Sequence, residues 1–426
     1  MHHLHNRTVL SWALYDWANS AFATAVLAGF FPVFFKSWWS ADLPATESTF
    51  QLGLANSLAS TVIVILAPVL GAIADVGGLR KRFLLLFAAL GIAMTASLYF
   101  VGQGEATLAL IGFVLASIGF SGSVVFYDSL LVSVTDEPHY DIASAWGYAL
   151  GYLGGGLLFA GTVVMTLWPA AFGLASQAEA VRLSFLAVAA WWLVFSLPLM
   201  LWVPEPPGQG GMRPGAAVLG GFRQLAGTFR KVRRLRVVGL FLLAYWLYID
   251  GVDTVVRMAV DYGLSLGFAS DSLITALLIT QFVGFPAAIG FGLLGERIGP
   301  KPAILIAIGV YIGVIVWAFF MQQVAEFYGL AVVIGLVQGG VQSLSRSLYA
   351  RLIPAGQSAE FFGFYNMLGK FAAILGPLIM GIVGLLTDSS RLSILAVGIL
   401  FVGGALLLIR VNVARGQTMA RELERG

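Results

Sequence analysis

Twelve apolar stretches follow one another along this chain, near 11–36, 50–73, 83–102, 107–132, 142–167, 181–203, 237–259, 271–294, 303–322, 326–349, 361–387 and 392–411. Each supplies the roughly 20 residues that a helix needs to cross a bilayer. In hydrocarbon every backbone N–H and C=O must be paired inside the protein, and segments of this length meet that demand as α-helices. The expectation is an all-α membrane protein with twelve transmembrane helices. Composition agrees, with 59% hydrophobic and 11% charged residues, where a soluble domain carries about 25% charged residues. The chain has no cysteine, which excludes a disulfide framework and thiolate chemistry. Its start, MHHLHNRTVL, lacks the layout of a cleaved signal, so the first helix is expected to stay as an anchor.

An even number of spans puts both ends on one side, and lysine and arginine say which. Seventeen fall in loops and ends on the amino-terminal side, among them Arg7, Arg80, Lys81, Arg82, Arg297, Lys301 and Arg351. The opposite loops hold Arg182 and Arg391. The positive-inside rule then puts both termini in the cytoplasm.

The long connection at 204–236 separates six spans from six. It opens with VPEPPGQGG, then spaces Val218, Leu219, Phe222, Leu225, Ala226 and Phe229 as one face of a helix, and ends in Arg230, Lys231, Arg233, Arg234 and Arg236. An amphipathic basic helix on the membrane surface is expected there. The division is thus a first half at 1–203, a linker at 204–236, a second half at 237–411 and a tail at 412–426.

The halves repeat. Asp75-Val-Gly-Gly78-Leu-Arg80 matches Glu296-Arg-Ile-Gly299-Pro-Lys301, offset by 221. Asp128-Ser-Leu matches Arg346-Ser-Leu, and Leu150-Gly151-Tyr152 matches Leu368-Gly369-Lys370, both offset by 218. Two pseudo-symmetric six-helix halves with acid–glycine–basic turns after spans 2 and 8 resemble the major facilitator fold.

Seven ionisable side chains lie within the spans: Asp16, Asp128, Asp250, Asp253, Arg257, Arg346 and Lys370. Facing lipid, each would cost ~3 kcal/mol and all together about 20, more than the typical stability of a folded protein. They must pair or face water. Spans 1, 4, 7 and 10 carry six of them, and in the superfamily that the layout resembles those helices line a central cavity. Asp16 is roughly 8–9 Å deep at 1.5 Å per residue, and Asp128, Arg346 and Lys370 stand at similar depth, as a gate network would. Asp75 with Gly78 and Arg80, and Glu296 as the second-half counterpart of Asp75, make a candidate latch, since a carboxylate there can brace a helix amino terminus or an arginine. Asp250, Asp253 and Arg257 share one face of span 7, where Asp253 and Arg257 form an i,i+4 pair and leave Asp250 without a local partner. Asp16 and Asn19, one turn apart, and Gln338 and Gln342 complete the candidate substrate- or proton-binding set. Gly147, Gly151 and Gly155 predict close helix packing.

These features point to a secondary active transporter of a small polar solute. Gly369-Lys370 is followed by Phe371 and is no phosphate loop, against an ATP-driven pump. His2, His3, His5 and His139 all fall outside the spans, against an intramembrane enzyme. Paired carboxylates and cations suit an amino acid or small peptide, whereas Tyr15, Trp17, Tyr127, Tyr148, Tyr152 and Trp246 would suit a sugar. A non-transporting receptor of the same fold is the other alternative.

The motif YDWANSAF at 15–22 resembles the vacuole effluxer family, the autophagy-related amino-acid exporters and their bacterial relatives. YIDGVDTVVRMAVDYG at 248–263, GGVQSLSRS at 339–347 and EFFGFYNMLGKFAAILGP at 360–377 are similar to its second-half pattern. The resemblance implies secondary transport, with amino-acid efflux attached to the fungal members. The expected partners are a small-molecule substrate, the bilayer and a coupling proton or sodium, for a monomer with no cofactor, no metal and no nucleic acid. The chain lacks the long inserted loops of fungal members, and its bias to arginine suits a bacterial plasma (inner) membrane.

Overall fold

The computed structural model describes residues 6–208, 236–266, 270–371 and 375–425. The amphipathic stretch expected within the linker lies outside them, and so do the side chains of Arg257 and Lys370. The first half consists of α1 (Arg7–Trp39), α2 (Ala45–Gly77), α3 (Arg80–Ser97), α4 (Ala106–Ser129), α5 (Tyr140–Leu167) and α6 (Gln177–Trp202). The second consists of α7 (Arg236–Ser265), α8 (Ser270–Ile298), α9 (Pro300–Phe320), α10 (Val324–Leu352), α11 (Ser358–Phe371), α12 (Leu375–Thr387) and α13 (Ser390–Arg410), followed by α14 (Val413–Arg425). Eleven described helices are long and apolar enough to span a membrane. α11 and α12 together occupy the remaining span, which completes twelve.

Local signals account for the helix ends. Asn6 accepts the Thr8 N–H to start α1, and Ser176 accepts that of Glu179 to start α6, as N-caps do. Gly78 ends α2 at φ 61° and Gly299 precedes α9 at φ 88°, the left-handed region where a side chain is strained. These two glycines stand at the offset of the repeat. Glu205, just past α6, accepts the N–H groups of Lys81 (2.7 Å) and Arg82 (3.0 Å) at the start of α3. Partial burial pushes the Glu205 carboxyl up, and those two donors offset only part of the rise. Within α1, Phe22–Phe30 and Phe35–Trp39 are π-helical, flanking a short α-helical turn that contains Pro32. A wide turn beside a proline, which has no N–H to give, relieves its clash with the preceding turn.

Several helix ends run past the expected spans. α2 runs to Gly77, α3 begins at Arg80, and α10 reaches Leu352. The apolar pattern stops at the hydrocarbon boundary, but backbone hydrogen bonding continues into the polar layer. Asp75, Arg80, Asp141 and Arg351 are therefore held on rigid helix rather than loop. The expected tail is likewise a helix, α14.

Packing follows the repeat. α3 packs on α4 as α9 packs on α10, and the halves meet where α2 crosses α11 and α5 crosses α8. Glycines set these crossings. A methyl on Gly71 would lie 2.8 Å from Glu360 Cα, and one on Gly363 2.8 Å from the Ala67 carbonyl carbon. Across the other seam, a methyl on Gly292 would strike Ala145. Large apolar side chains face outward, among them Leu385, Leu386, Phe100, Val33 and Phe50, the exterior of an integral multi-pass membrane protein.

Candidate functional site

Arg346 on α10 is buried at 1% exposure between the halves. Its Nη1 donates to Asp128 Oδ1 on α4 at 3.0 Å and lies 3.6 Å from Asp16 Oδ2 on α1. Its Nε and Nη2 donate to the Ser144 hydroxyl (2.8 Å) and carbonyl (2.9 Å) on α5. The Tyr148 ring lies 4.4 Å beneath the guanidinium, a cation–π contact. Asp16 also accepts from Tyr127 at 3.2 Å, and the second Asp128 oxygen accepts from Asn366 on α11 at 3.0 Å. One guanidinium thus joins α1, α4, α5 and α10, and Asp128 ties in α11. A charge taken out of water is tolerable only with such complete partnering. Gly147 makes room for it, since a methyl there would lie 2.7 Å from Tyr127 Oη and 2.9 Å from Arg346 Nη2.

Two further acids span the seams at the face that carries both chain ends. Asp75, at 1% exposure, accepts Arg80 Nε at 2.7 Å and the Ala359 and Glu360 N–H groups of α11 at 3.0 and 2.8 Å. It caps a helix of the other half, where a negative charge meets the positive end of the helix dipole. Arg80 reaches the Ala355 carbonyl at 3.1 Å. Across the second seam, Asp141 of α5 pairs with Arg351 of α10 at 2.9 Å and accepts from Ser347.

The expected residues divide as follows. Asp16, Asp128 and Arg346 come together in one cluster, and Asp75 and Arg80 at one seam, with Gly78 turning the chain between them beside Pro206 and Gly208. Glu296 is exposed at the end of α8 and joins neither. The repeat pairs it with Asp75 by sequence, but the acid at that seam is Asp141. Asp250 does have partners, contrary to expectation: it accepts the N–H groups of Leu375 (3.0 Å) and Gly376 (2.8 Å) on α12 and the Thr254 hydroxyl (3.2 Å). Backbone donors and a hydroxyl, which carry no charge to mark them in the sequence, satisfy this carboxylate. Asp253 is half-buried on α7. Asn19 donates to its own helix at Tyr15 O, 2.9 Å. Gln342 accepts from Tyr152 across the seam at 3.0 Å. Gln338 lines a cavity of about 70 Å³ in the second half, whose walls are mostly apolar, Val256, Ala276 and Ile334 among them. Its buried Oε1 has no hydrogen-bond partner among the described residues.

Sequence reasoning missed Ser144, Asn366, Asp141 and Arg351 as site residues. One signal was available. Tyr148 and Asn366 are separated by the same 218 residues as Asp128 and Arg346, so the cluster is built from two symmetry-related pairs.

The sequence profile of the Vacuole effluxer Atg22 like family matches residues 45–421. The MFS-type transporter YxiO of Bacillus subtilis is 40% identical over 400 residues, 93% of this chain and 93% of its own. Autophagy-related protein 22 of Coccidioides immitis is 25% identical over 98% of this chain and 88% of the fungal one. Among solved structures, the major facilitator transporter FucP in its outward conformation superposes with a TM-score of 0.72 at 14% identity, covering 97% of this chain and 100% of that one. The proton:xylose symporter XylE gives 0.71 at 16% identity, covering 97% and 96%.

Proposed function

The chain belongs to the vacuole effluxer family of MFS-type transporters, and from that premise we propose that it moves an amino acid or small peptide across a bacterial plasma membrane by alternating access. Both termini are cytoplasmic in this reading, the Arg346 cluster is where solute and gate meet, and the halves at 1–203 and 237–411 rock about it as one monomer. The observation that carries it is Arg346 held between Asp128, Asp16 and Ser144 across the two halves. Such an ion pair opens at bearable cost only if something replaces the lost partners. A zwitterion does this on both sides, its carboxylate serving the guanidinium and its ammonium serving the aspartates. A neutral sugar offers hydroxyls but neither charge.

Asp250 is the coupling acid in this reading. Its carboxylate holds two N–H groups of α12, and a proton arriving there withdraws one acceptor from them. Asp250→Asn should therefore abolish gradient-driven accumulation in proteoliposomes while leaving exchange in part. Wild-type pH dependence in that variant would remove Asp250 from the role. The whole reading is tested by a thermal-shift screen of amino acids, dipeptides and sugars on purified protein, followed by flux of the hits. Stabilisation and flux confined to sugars, or binding without flux, would overturn it.

A further inference from the structure

We infer that the carboxy-terminal helix α14 is a strap that holds the two halves together at the face carrying the chain ends, and so sets how readily that face opens. The inference rests on the alternating-access reading above for its consequence, not for its geometry.

α14 belongs structurally to the second half. It packs on α7 and α10, and its apolar side buries Ala420 at 5% exposure, with Met419 and Leu423 against the core. Gly416 seats the helix: a methyl there would lie 3.0 Å from Val237 and would strike Leu352. Near its end, Glu424 accepts the Ala355 N–H in the α10–α11 connection. Yet the polar side of the helix reaches into the first half. Gln417 Nε2 donates to Glu137 Oε1 at 2.6 Å, and Arg421 Nη2 donates to Glu137 Oε2 at 3.0 Å. Glu137 opens the short 3₁₀ turn Glu137–His139 ahead of α5. Both its oxygens are engaged by one helix of the opposite half.

The clasp is therefore asymmetric, with a broad apolar seat on one half and a single carboxylate on the other. When the halves part at this face, the seat travels with α7 and α10 and the Glu137 contacts break. They are the weak point by design of their surroundings, since the Arg421 side chain is 63% exposed and that of Glu137 34%. Exposed ion pairs of this kind contribute little each, which suits a contact that must break in every cycle. Its effect on the open population should be about two- to five-fold.

The chain has no cysteine, so one reporter can be introduced without background. Ser129→Cys suits the purpose: Ser129 is fully buried, and its carbonyl accepts the Ser358 hydroxyl across the seam at 3.0 Å. The rate at which N-ethylmaleimide labels it, in the full chain reconstituted in nanodiscs, reports opening of that face with no need of a transported solute. Failure of the flux reading and failure of the strap are thus distinguishable. Glu137→Ala, and separately Gln417→Ala with Arg421→Ala, should each raise the labelling rate about two- to five-fold. Glu137→Arg should raise it further, and adding Arg421→Glu should return it toward the parent. Unchanged labelling in all of these variants would overturn the strap. So would a rise that charge reversal fails to rescue, because that pattern reports local loosening and not a clasp.

Discussion

A buried arginine defines this protein more sharply than any other residue. Arg346 makes three hydrogen bonds to the first half, and a second carboxylate approaches to 3.6 Å. Removing one partner of a fully buried pair typically costs about 3–5 kcal/mol, and removing both leaves less to penalise. Asp128→Asn and Arg346→Gln should each lower the melting temperature by several degrees and impair flux, while the double variant falls short of their sum. Strict additivity in a double-mutant cycle on both readouts would mean that the two residues do not act together. Gly147 gives an uncharged test of the same cluster. Gly147→Ala sets a methyl among Tyr127, Arg346 and Asp16 and should destabilise. Gly161→Ala on the same helix meets nothing within 4 Å and should be neutral or stabilising by up to about 1 kcal/mol. Equal melting temperatures for the two variants would contradict the packing account. Asp16, Asp128 and Arg346 were legible in the sequence because a charge within an apolar run has to be explained. Ser144 and Asn366 were not, because a neutral polar side chain crosses a membrane at small cost and leaves no mark in a hydropathy pattern.

At the scale of elements, the seam between α2 and α11 joins glycine packing to helix capping. Asp75 holds the first N–H groups of α11 while Gly71 and Gly363 let the two backbones close up. Asp75→Asn keeps one acceptor oxygen but loses the charge facing Arg80 and the helix dipole. It should favour opening of this face, seen as faster maleimide labelling of a Ser129→Cys reporter; an unchanged rate would mean that packing alone closes the seam. The twelve-span layout, the repeat and the role of apolar length could all be read from the sequence. The working ends of the helices could not, since counting apolar residues stops where charges begin. By that count Asp141 falls outside its span and Arg351 among the anchoring cations, although α5 and α10 carry both on rigid backbone. It also makes 412–426 a tail, because α14 is amphipathic and buries only one side.

For the whole molecule, the repeat explains more than the helix count. Tyr148 and Asn366 share the 218-residue offset of Asp128 and Arg346; Asp128 and Arg346 pair with each other, while Tyr148 lies under Arg346 and Asn366 donates to Asp128. An ancestral pairing of identical halves would set carboxylate against carboxylate, which cannot both stay ionised, or guanidinium against guanidinium, which keep their charge and repel. On this account each half should pair with the other and not with its own kind. A gene cut within 209–235 should yield fragments that assemble with one another on co-expression and not with themselves, as co-purification of differently tagged copies would reveal. Recovery of same-half pairs as abundant as mixed pairs would refute this. In genetic terms, the opposite signs at Asp128 and Arg346 would make the duplication hard to reverse: replacing either half by a second copy of the other would set like charges face to face.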